Sequence, residues 1–302
     1  MFETFHQKKL SVSMVSVIIT CYNQENTIAD ALISIRRQTY SNFECIVVDD
    51  GSSDNSVSII ESIIKEDKRF FLVKQPTNKG VAAARNLGIE NSKGDFIQFL
   101  DGDDYLEAEK LSISHSCYQN SLSERKFFDI IFCDFKMLID NNGLFERAFC
   151  KLNGNTLNFQ NVLFKWDEGF AIPIHTGFLR RAFIGDLRFD EDLRSKEDWL
   201  FWIRLFKRNP KIYFIDDVLA VYRRHNSSIT MSSSMYEDHI LVINKIKLII
   251  AKDEWNHLIY GMFQRYYKRS IYFKNLYLKK QSKSVWMKMK ENCRKVLKKC
   301  LR

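Results

Sequence analysis

Long hydrophobic runs are missing from this 302-residue chain. A helix that crosses a bilayer needs about 20 apolar residues in succession. The most apolar helical stretch, ILVINKIKLII (Ile240 to Ile250), is broken by Asn244, Lys245 and Lys247. The N-terminus, MFETFHQKKLSVSM, carries no apolar stretch of signal-peptide length after its charges, so the expectation is a cytoplasmic chain. Paired cysteines are also missing. The seven cysteines, Cys21, Cys45, Cys117, Cys133, Cys150, Cys293 and Cys300, form no CxxC, and their odd number in a long chain suits free thiols better than a disulfide frame or a zinc site. Neither GxxxxGK[ST] nor a GxGxxG after the first strand-like run occurs, which sets aside the usual ATPase and dinucleotide readings.

An apolar fraction of 45% with 14% aromatics is ample for a packed core. The net charge of +9 is unevenly placed: Lys268 to Arg302 holds thirteen Lys/Arg and one acid, leaving residues 1–267 mildly acidic. In that tail Val285, Met289, Cys293, Val296/Leu297 and Cys300 recur every three to four residues between basic ones, the pattern of a basic amphipathic helix.

Four runs of strand length recur: VSVIIT (Val15 to Thr20), FECIVV (Phe43 to Val48), RFFLVK (Arg69 to Lys74) and DFIQFL (Asp95 to Leu100). Between them Ile28, Leu32 and Ile35, then Val57, Ile60 and Ile64, then the alanine-rich GVAAARNLGIE, have helical character. This alternation predicts an α/β domain with a parallel sheet and right-handed crossovers. Ligands of such sheets sit beyond the carboxyl ends of the strands, which gathers Tyr22, Asp49, Asp50 and the acids of DGDD at one edge. From Asp129 the pattern changes to short runs, Ile130 to Phe135, Leu144 to Phe149 and Phe170 to Ile174, and then to KEDWLFWIRLFKR, a helix apolar on most faces. Past His225, NSSITMSSS reads as a linker to helical material. The domain expectation is an extension over 1–14, the main domain over 15–225 and a helical basic region over 226–302.

Several short stretches carry chemistry, each with a plainer alternative. VVDDGSSD can be a strand, a turn and a helix cap, or its two carboxylates can accept from a nucleobase imide and a ribose hydroxyl. DGDD can be a surface turn. Its three acids, Asp101, Asp103 and Asp104, repel by roughly 4 kcal/mol per pair about 4 Å apart near a surface. A hard divalent cation shared with a diphosphate would relieve this. Arg85 is either a solvated charge or a contact to the nucleotide or to an acidic neighbour. Glu197 and Asp198 either favour the dipole of the helix they begin or supply a general base.

Taken together, VSVIITCYNQENTIADALISIRRQTYSNFECIVVDDGSSD, NKGVAAARNLGIENSKGDFIQFLDGDDYL and KEDWLFWIRL strongly resemble the family 2 glycosyltransferases, over about 70% of the chain. The resemblance implies a GT-A fold, a Rossmann-like and mostly parallel sheet with flanking helices, and inverting transfer from a nucleotide sugar, most simply a UDP-sugar. The acceptor it implies is a glycan or lipid-linked glycan in the synthesis of bacterial-type surface polysaccharide. It implies that Thr20 and Tyr22 flank the base, Asp50 binds its edge with Asp49 beside it, and Arg85 helps hold the donor. Asp101 lies near the ribose, Asp103 binds Mn²⁺ or Mg²⁺ with Asp104 sharing that role, His225 approaches the metal, and Asp198 is the base. The first strand ends in TCYN, where many members have proline before the Tyr-Asn pair. A sugar-nucleotide pyrophosphorylase would carry a glycine-rich basic loop where this chain has TCYNQENTI. The alternative of another class is a non-catalytic nucleotide-sugar or glycan-binding module. The basic tail, with Trp286, Met287 and Met289, suits an anionic membrane surface on the cytoplasmic face better than nucleic acid, for which no recognition module is present. The sequence leaves the oligomeric state open.

Overall fold

The structure, a computed structural model, describes residues 13–123, 126–139, 144–146, 148–224 and 235–300, and the side chains of 144–146, 235, 236 and 281–300 are outside the description. The first half is four strands, β1 (Val15–Cys21), β2 (Phe43–Asp49), β3 (Phe70–Lys74) and β4 (Phe96–Asp101), alternating with α1 (Ile28–Arg36), α2 (Ser56–Ile64) and α3 (Val81–Asn91). The strands pair in parallel in the order β3-β2-β1-β4, as the alternation predicts. Every residue of β1 and β2 is buried, which explains their Val/Ile-rich runs: both faces of the sheet are covered. Helix α1 meets the core through Ile28, Ala31, Leu32 and Ile35, one stripe at helical spacing. The small residues of α3 bring its backbone onto β1, where a Cβ at Gly88 would lie 2.2 Å from Ile18 Cγ2.

The second half adds β5 (Tyr105–Leu106), α4 (Lys110–Ser123), β6 (Ile130–Ile139), β7 (Leu144–Glu146), α5 (Phe159–Phe164), a 3₁₀ turn (Ile174–Thr176), β8 (Gly177–Arg180), α6 (Arg181–Ile184), α7 (Glu197–Lys207), β9 (Ile212–Arg224) and α8 (Met235–Lys247). The sheet continues from β4 as β8-β6-β9-β5, with β7 on β6. Strand β8 is antiparallel to β4 and β6, and β9 is parallel to β6, so the whole is a mixed sheet whose wholly parallel part is the first half. The run Phe170 to Ile174 belongs to no strand, and Pro173 leads into the 3₁₀ turn. Residues Ile212–Arg224, in which no strand is expected, form the long β9.

Helix α7 is buried from Trp199 to Ile203 and again at Leu205 and Phe206. Its two indoles satisfy their N–H groups inside the core: Trp199 Nε1 donates to Val162 O at 2.7 Å and Trp202 Nε1 to Ile172 O at 3.0 Å. The chain divides into two compact units, Met1–Ile249 and Ile250–Arg302. Helix α8 falls in the first, tied there by Lys245 Nζ to Asp190 at 2.6 Å and by Ser195 Oγ to Asp238 at 2.9 Å. The expected boundary at His225 lies among residues outside the description. The second unit holds α9 (Lys252–Cys300), and among the described residues no helix is long and apolar enough to cross a membrane.

Candidate active site

The strand register gathers the site. Thr20 lies opposite Asp101 and Cys21 opposite Asp49, so β1, β2 and β4 all end at one edge. The DGDD turn begins there, and its glycine is dictated by packing. A Cβ on Gly102 would stand 2.3 Å from Gln24 Oε1 and 2.9 Å from Thr20 O.

Thr20 Oγ1 donates to Asp101 Oδ1 at 3.1 Å, and Arg85 Nη2 donates to both oxygens of Asp101 at 2.7 and 3.0 Å. The other guanidinium nitrogen, Nη1, donates to Glu197 Oε1 at 2.6 Å. Arg85 is thus a buried bridge between the acidic turn and α7, and not a solvated helix charge. Burial alone would lift the Asp101 carboxyl, but the charge and hydrogen bonds of Arg85 hold it below its ordinary range. Glu197 is pushed up to about 7 by burial and by the charge of Asp198, against the pull of Arg85.

Asp198 is part-exposed in the first turn of α7. Its Oδ1 accepts from Trp199 N at 2.7 Å, so the helix start fixes the carboxylate. Burial raises its pKa, and Arg85 and Lys196 draw it back down. A part-exposed carboxylate with a raised pKa can take a proton from a hydroxyl. Glu197, buried and engaged with Arg85, is the residue of the pair that braces the site.

The three acids of the turn have unequal surroundings. Asp104 is 2% exposed, and both of its oxygens are engaged: Oδ1 accepts from Arg223 N at 2.7 Å and Oδ2 pairs with His175 Nδ1 at 3.0 Å. Burial pushes Asp104 up to about 6, with His175 opposing and Asp103 and Asp101 adding to the rise. Arg223 also donates through Nε to Asp103 O at 2.9 Å and through Nη2 to Asp30 at 2.5 Å, clasping the turn to β9 and α1. Both oxygens of Asp104 are thus taken up by contacts that hold the turn, while Asp103 is part-exposed beside it.

At the end of β2 two further acids have different surroundings. Asp50 Oδ1 accepts from Gln75 Nε2 and Lys79 N, and Oδ2 from Gly80 N, each at 2.8 Å, so it clamps the loop before α3. Asp49 accepts from Ser52 N at 3.2 Å through Oδ2, and its buried Oδ1 has no hydrogen-bond partner among the described residues. Tyr22 is 46% exposed next to them. The rest of GSSD stitches two loops: Asn23 N donates to Ser52 Oγ at 2.9 Å, Ser53 N to Asn23 Oδ1 at 2.8 Å and Glu25 N to Asp54 Oδ2 at 3.0 Å. His225 is outside the described residues. The sequence reading missed His175 and Arg223. Arg223 lies two residues before the histidine that it singled out, and no motif surrounds His175.

Among the described residues no three His, Cys, Asp or Glu side chains converge to hold a metal ion. Mg²⁺ or Mn²⁺ bound through one or two carboxylates with substrate phosphate oxygens and water needs no such cluster, and part-exposed Asp103 fits that mode.

Comparison with known proteins agrees with this architecture. Residues 16–113 match the model of glycosyl transferase family 2. A glycosyltransferase of Haemophilus influenzae is 30% identical over 261 residues, 83% of this chain and 96% of its own. Among solved structures, S. aureus TarS 1-349 in complex with UDP-GlcNAc superposes with a TM-score of 0.61 at 24% identity, covering 81% of this chain and 69% of the other. The mannosyltransferase PcManGT from Pyrobaculum calidifontis, in complex with GDP-Man and Mn²⁺, gives 0.60 at 15% identity, over 84% and 70%. These two likenesses show the fold, which is GT-A. With strand ends, acidic turn and α7 carboxylates in one frame, and a relative matched over nearly its whole length, the chain belongs to the family 2 glycosyltransferases.

Proposed function

We propose that the enzyme transfers a sugar with inversion from a UDP-sugar to a hydroxyl of a glycan or lipid-linked glycan, a step in building surface polysaccharide. One observation carries this reading: part-exposed Asp198 adjoins Glu197, and Glu197 is bonded through Arg85 to Asp101 of the acidic turn. A proton acceptor and a donor-binding edge thereby share one rigid frame. The relatives' ligands, UDP-GlcNAc and GDP-Man, lend support to a nucleotide-sugar donor.

In this reading the base ring lies against Tyr22, and its imide N–H goes to Asp49 Oδ1, the buried acceptor that otherwise lacks a partner. Asp101, fixed by Thr20 and Arg85, receives the ribose. Asp103 would hold Mn²⁺ or Mg²⁺, which would supply neutralisation of the charge on the departing diphosphate. Asp198 removes the proton of the acceptor hydroxyl as that oxygen attacks the anomeric carbon on the face opposite the diphosphate. The second unit seats the enzyme on an anionic membrane face through α9, whose exposed aromatics alternate with Lys and Arg.

Asp198→Asn tests the assignment. It is expected to abolish transfer while UDP with Mn²⁺ still raises the melting temperature, since a ligand at 100 times its Kd contributes about 2.7 kcal/mol. Near wild-type turnover by that variant would sink the base assignment. The same thermal measurement over UDP-, GDP- and dTDP-sugars selects the donor.

A further inference from the structure

Two residues that are not glycine hold left-handed backbones close to Asp198, and their side chains are joined. Asp167, at φ 65°, lies in the tight turn between Trp166 and Phe170, where its N–H donates to Phe170 O at 3.0 Å. Lys196, at φ 66° and ψ 10°, precedes α7 and stands two residues before Asp198. A side chain in this region crowds its own backbone, and glycine is the residue that occupies it freely. Strained positions persist where the surroundings enforce them, and they gather at functional sites. Here the enforcing contact is visible: Lys196 Nζ donates to both carboxylate oxygens of Asp167, at 2.7 and 2.9 Å. The lysine side chain is 10% exposed and that of Asp167 is 48% exposed, so a mostly covered lysine is paired with a carboxylate at the surface. If the chain needed only the bend, glycine would serve. Lysine there implies a use for the charge.

We infer that Lys196 and Asp167 form a positioning pair for the base, Lys196 placing a fixed cation beside Asp198 and Asp167 limiting how much of that charge the base feels. The inference rests on the reading of Asp198 as the base. The groups that face Asp198 are Arg85 from α3, Lys196 and Glu197 at the start of α7, Asp167 from the turn after α5, and Tyr222 from β9. Burial raises Asp198, Arg85 and Lys196 lower it, and Asp167 raises it, so the two members of the pair act on the base with opposite sign.

The test is a carboxyl ¹³C NMR titration of the full chain labelled at aspartate, without donor or metal, in which the Asp198 signal is the one absent from Asp198→Asn. Lys196→Gly suits a left-handed backbone, so it is expected to fold with an undiminished melting temperature and to move the Asp198 midpoint to higher pH. Asp167→Asn leaves the ammonium without its counter-charge and is expected to move the midpoint to lower pH. Lys196→Arg is expected to return it close to the wild-type position. A clasp that only ties the turn to α7 would move both midpoints the same way or neither, and either result overturns the inference. Opposite shifts uphold the coupling whatever becomes of the base assignment, which transfer by Asp198→Asn judges separately.

Discussion

Arg85 grips Asp101 of the acidic turn with one guanidinium nitrogen, at 2.7 and 3.0 Å, and Glu197 of α7 with the other, at 2.6 Å. A positive charge that relieves the DGDD turn is therefore built into the chain. Removing one partner of a buried ion pair costs about 3–5 kcal/mol, because the remaining charge is left uncompensated. Arg85→Met is accordingly expected to lower the melting temperature by roughly 10 °C, at about 2–4 °C per kcal/mol for a domain of this size. Adding Glu197→Gln removes one of the stranded carboxylates and is expected to recover part of the loss. Calorimetry of the three proteins decides, and a double variant no more stable than Arg85→Met would show that Glu197 is not held by this pair.

Glu197 also gives stability a pH dependence whose sign is opposite to that of an ordinary ion-paired carboxylate. Its folded-state pKa is raised to about 7, above the ordinary 4.5. Between these values the folded chain keeps a proton that the unfolded chain has lost, so stability falls as pH rises through the window and levels off above it. Asp104, raised to about 6, acts the same way over the lower part of that range. Asp101, held low, acts only below about pH 4. Urea unfolding of the metal-free protein is expected to show declining stability from pH 5 to pH 7.5, and Glu197→Gln is expected to flatten that slope. An unchanged slope in the variant would assign it to other groups.

The half of the fold that the sequence declares is the half in which each strand is buried on both faces. VSVIITC and FECIVVD admit few readings, and the helices between them keep one apolar stripe each. Strand β9 escapes notice because IYFIDDVLAVYRR mixes exposed and buried positions and breaks register with β6 near Asp134. The site divides on sequence distance in the same manner. The acids of DGDD announce themselves, since their repulsion is local. What answers them is not local: Glu197 lies 112 residues from Arg85, and Arg223 lies 119 from Asp104. No spacing rule covers pairings made only by the closed sheet. The same limit applies to Asp49 and Asp50, whose order in the motif says nothing of which one the β3–α3 loop will claim.

Asp104 and Asp103 separate under mutation if one holds the turn and the other the cation. Asp104→Asn keeps the shape of the side chain but gives up the charge that faces His175 and the Arg223 N–H. A buried charged hydrogen bond of this sort contributes about 1.5–3 kcal/mol, so a melting point lower by several degrees is expected, with Mn²⁺-dependent UDP binding retained. Asp103→Asn is expected to do the reverse, leaving the melting point of the ligand-free protein nearly unchanged and removing the effect of Mn²⁺ on UDP binding. Isothermal titration of UDP with and without Mn²⁺ distinguishes them. Loss of the Mn²⁺ effect in both variants would return Asp104 to the cation.

Helix α9 presents Tyr260, Phe263, Tyr266, Tyr267, Tyr272 and Phe273, all more than half exposed, in a stretch with no acid from residue 255 to residue 290. Tyrosine has an apolar ring and a polar end, which suits the headgroup layer, and each Lys or Arg near an anionic leaflet adds about 1 kcal/mol. Two such helices would repel each other, so their common charge favours a lipid surface over a second copy of the chain. Trp286, Met287 and Met289, named from sequence for the same role, have side chains outside the description, and the exposed aromatics lie about four to eight turns earlier. The full chain is expected to sediment with phosphatidylserine vesicles at about 0.05 M salt, to remain in solution with phosphatidylcholine alone, and to be released by about 0.5 M salt as the Debye length shrinks. Tyr266→Ser with Tyr267→Ser and Phe273→Ser is expected to weaken sedimentation at low salt with every basic residue still in place. If those changes leave sedimentation untouched while salt releases the protein, charge alone binds the membrane. If the wild-type chain never sediments, α9 faces some other partner.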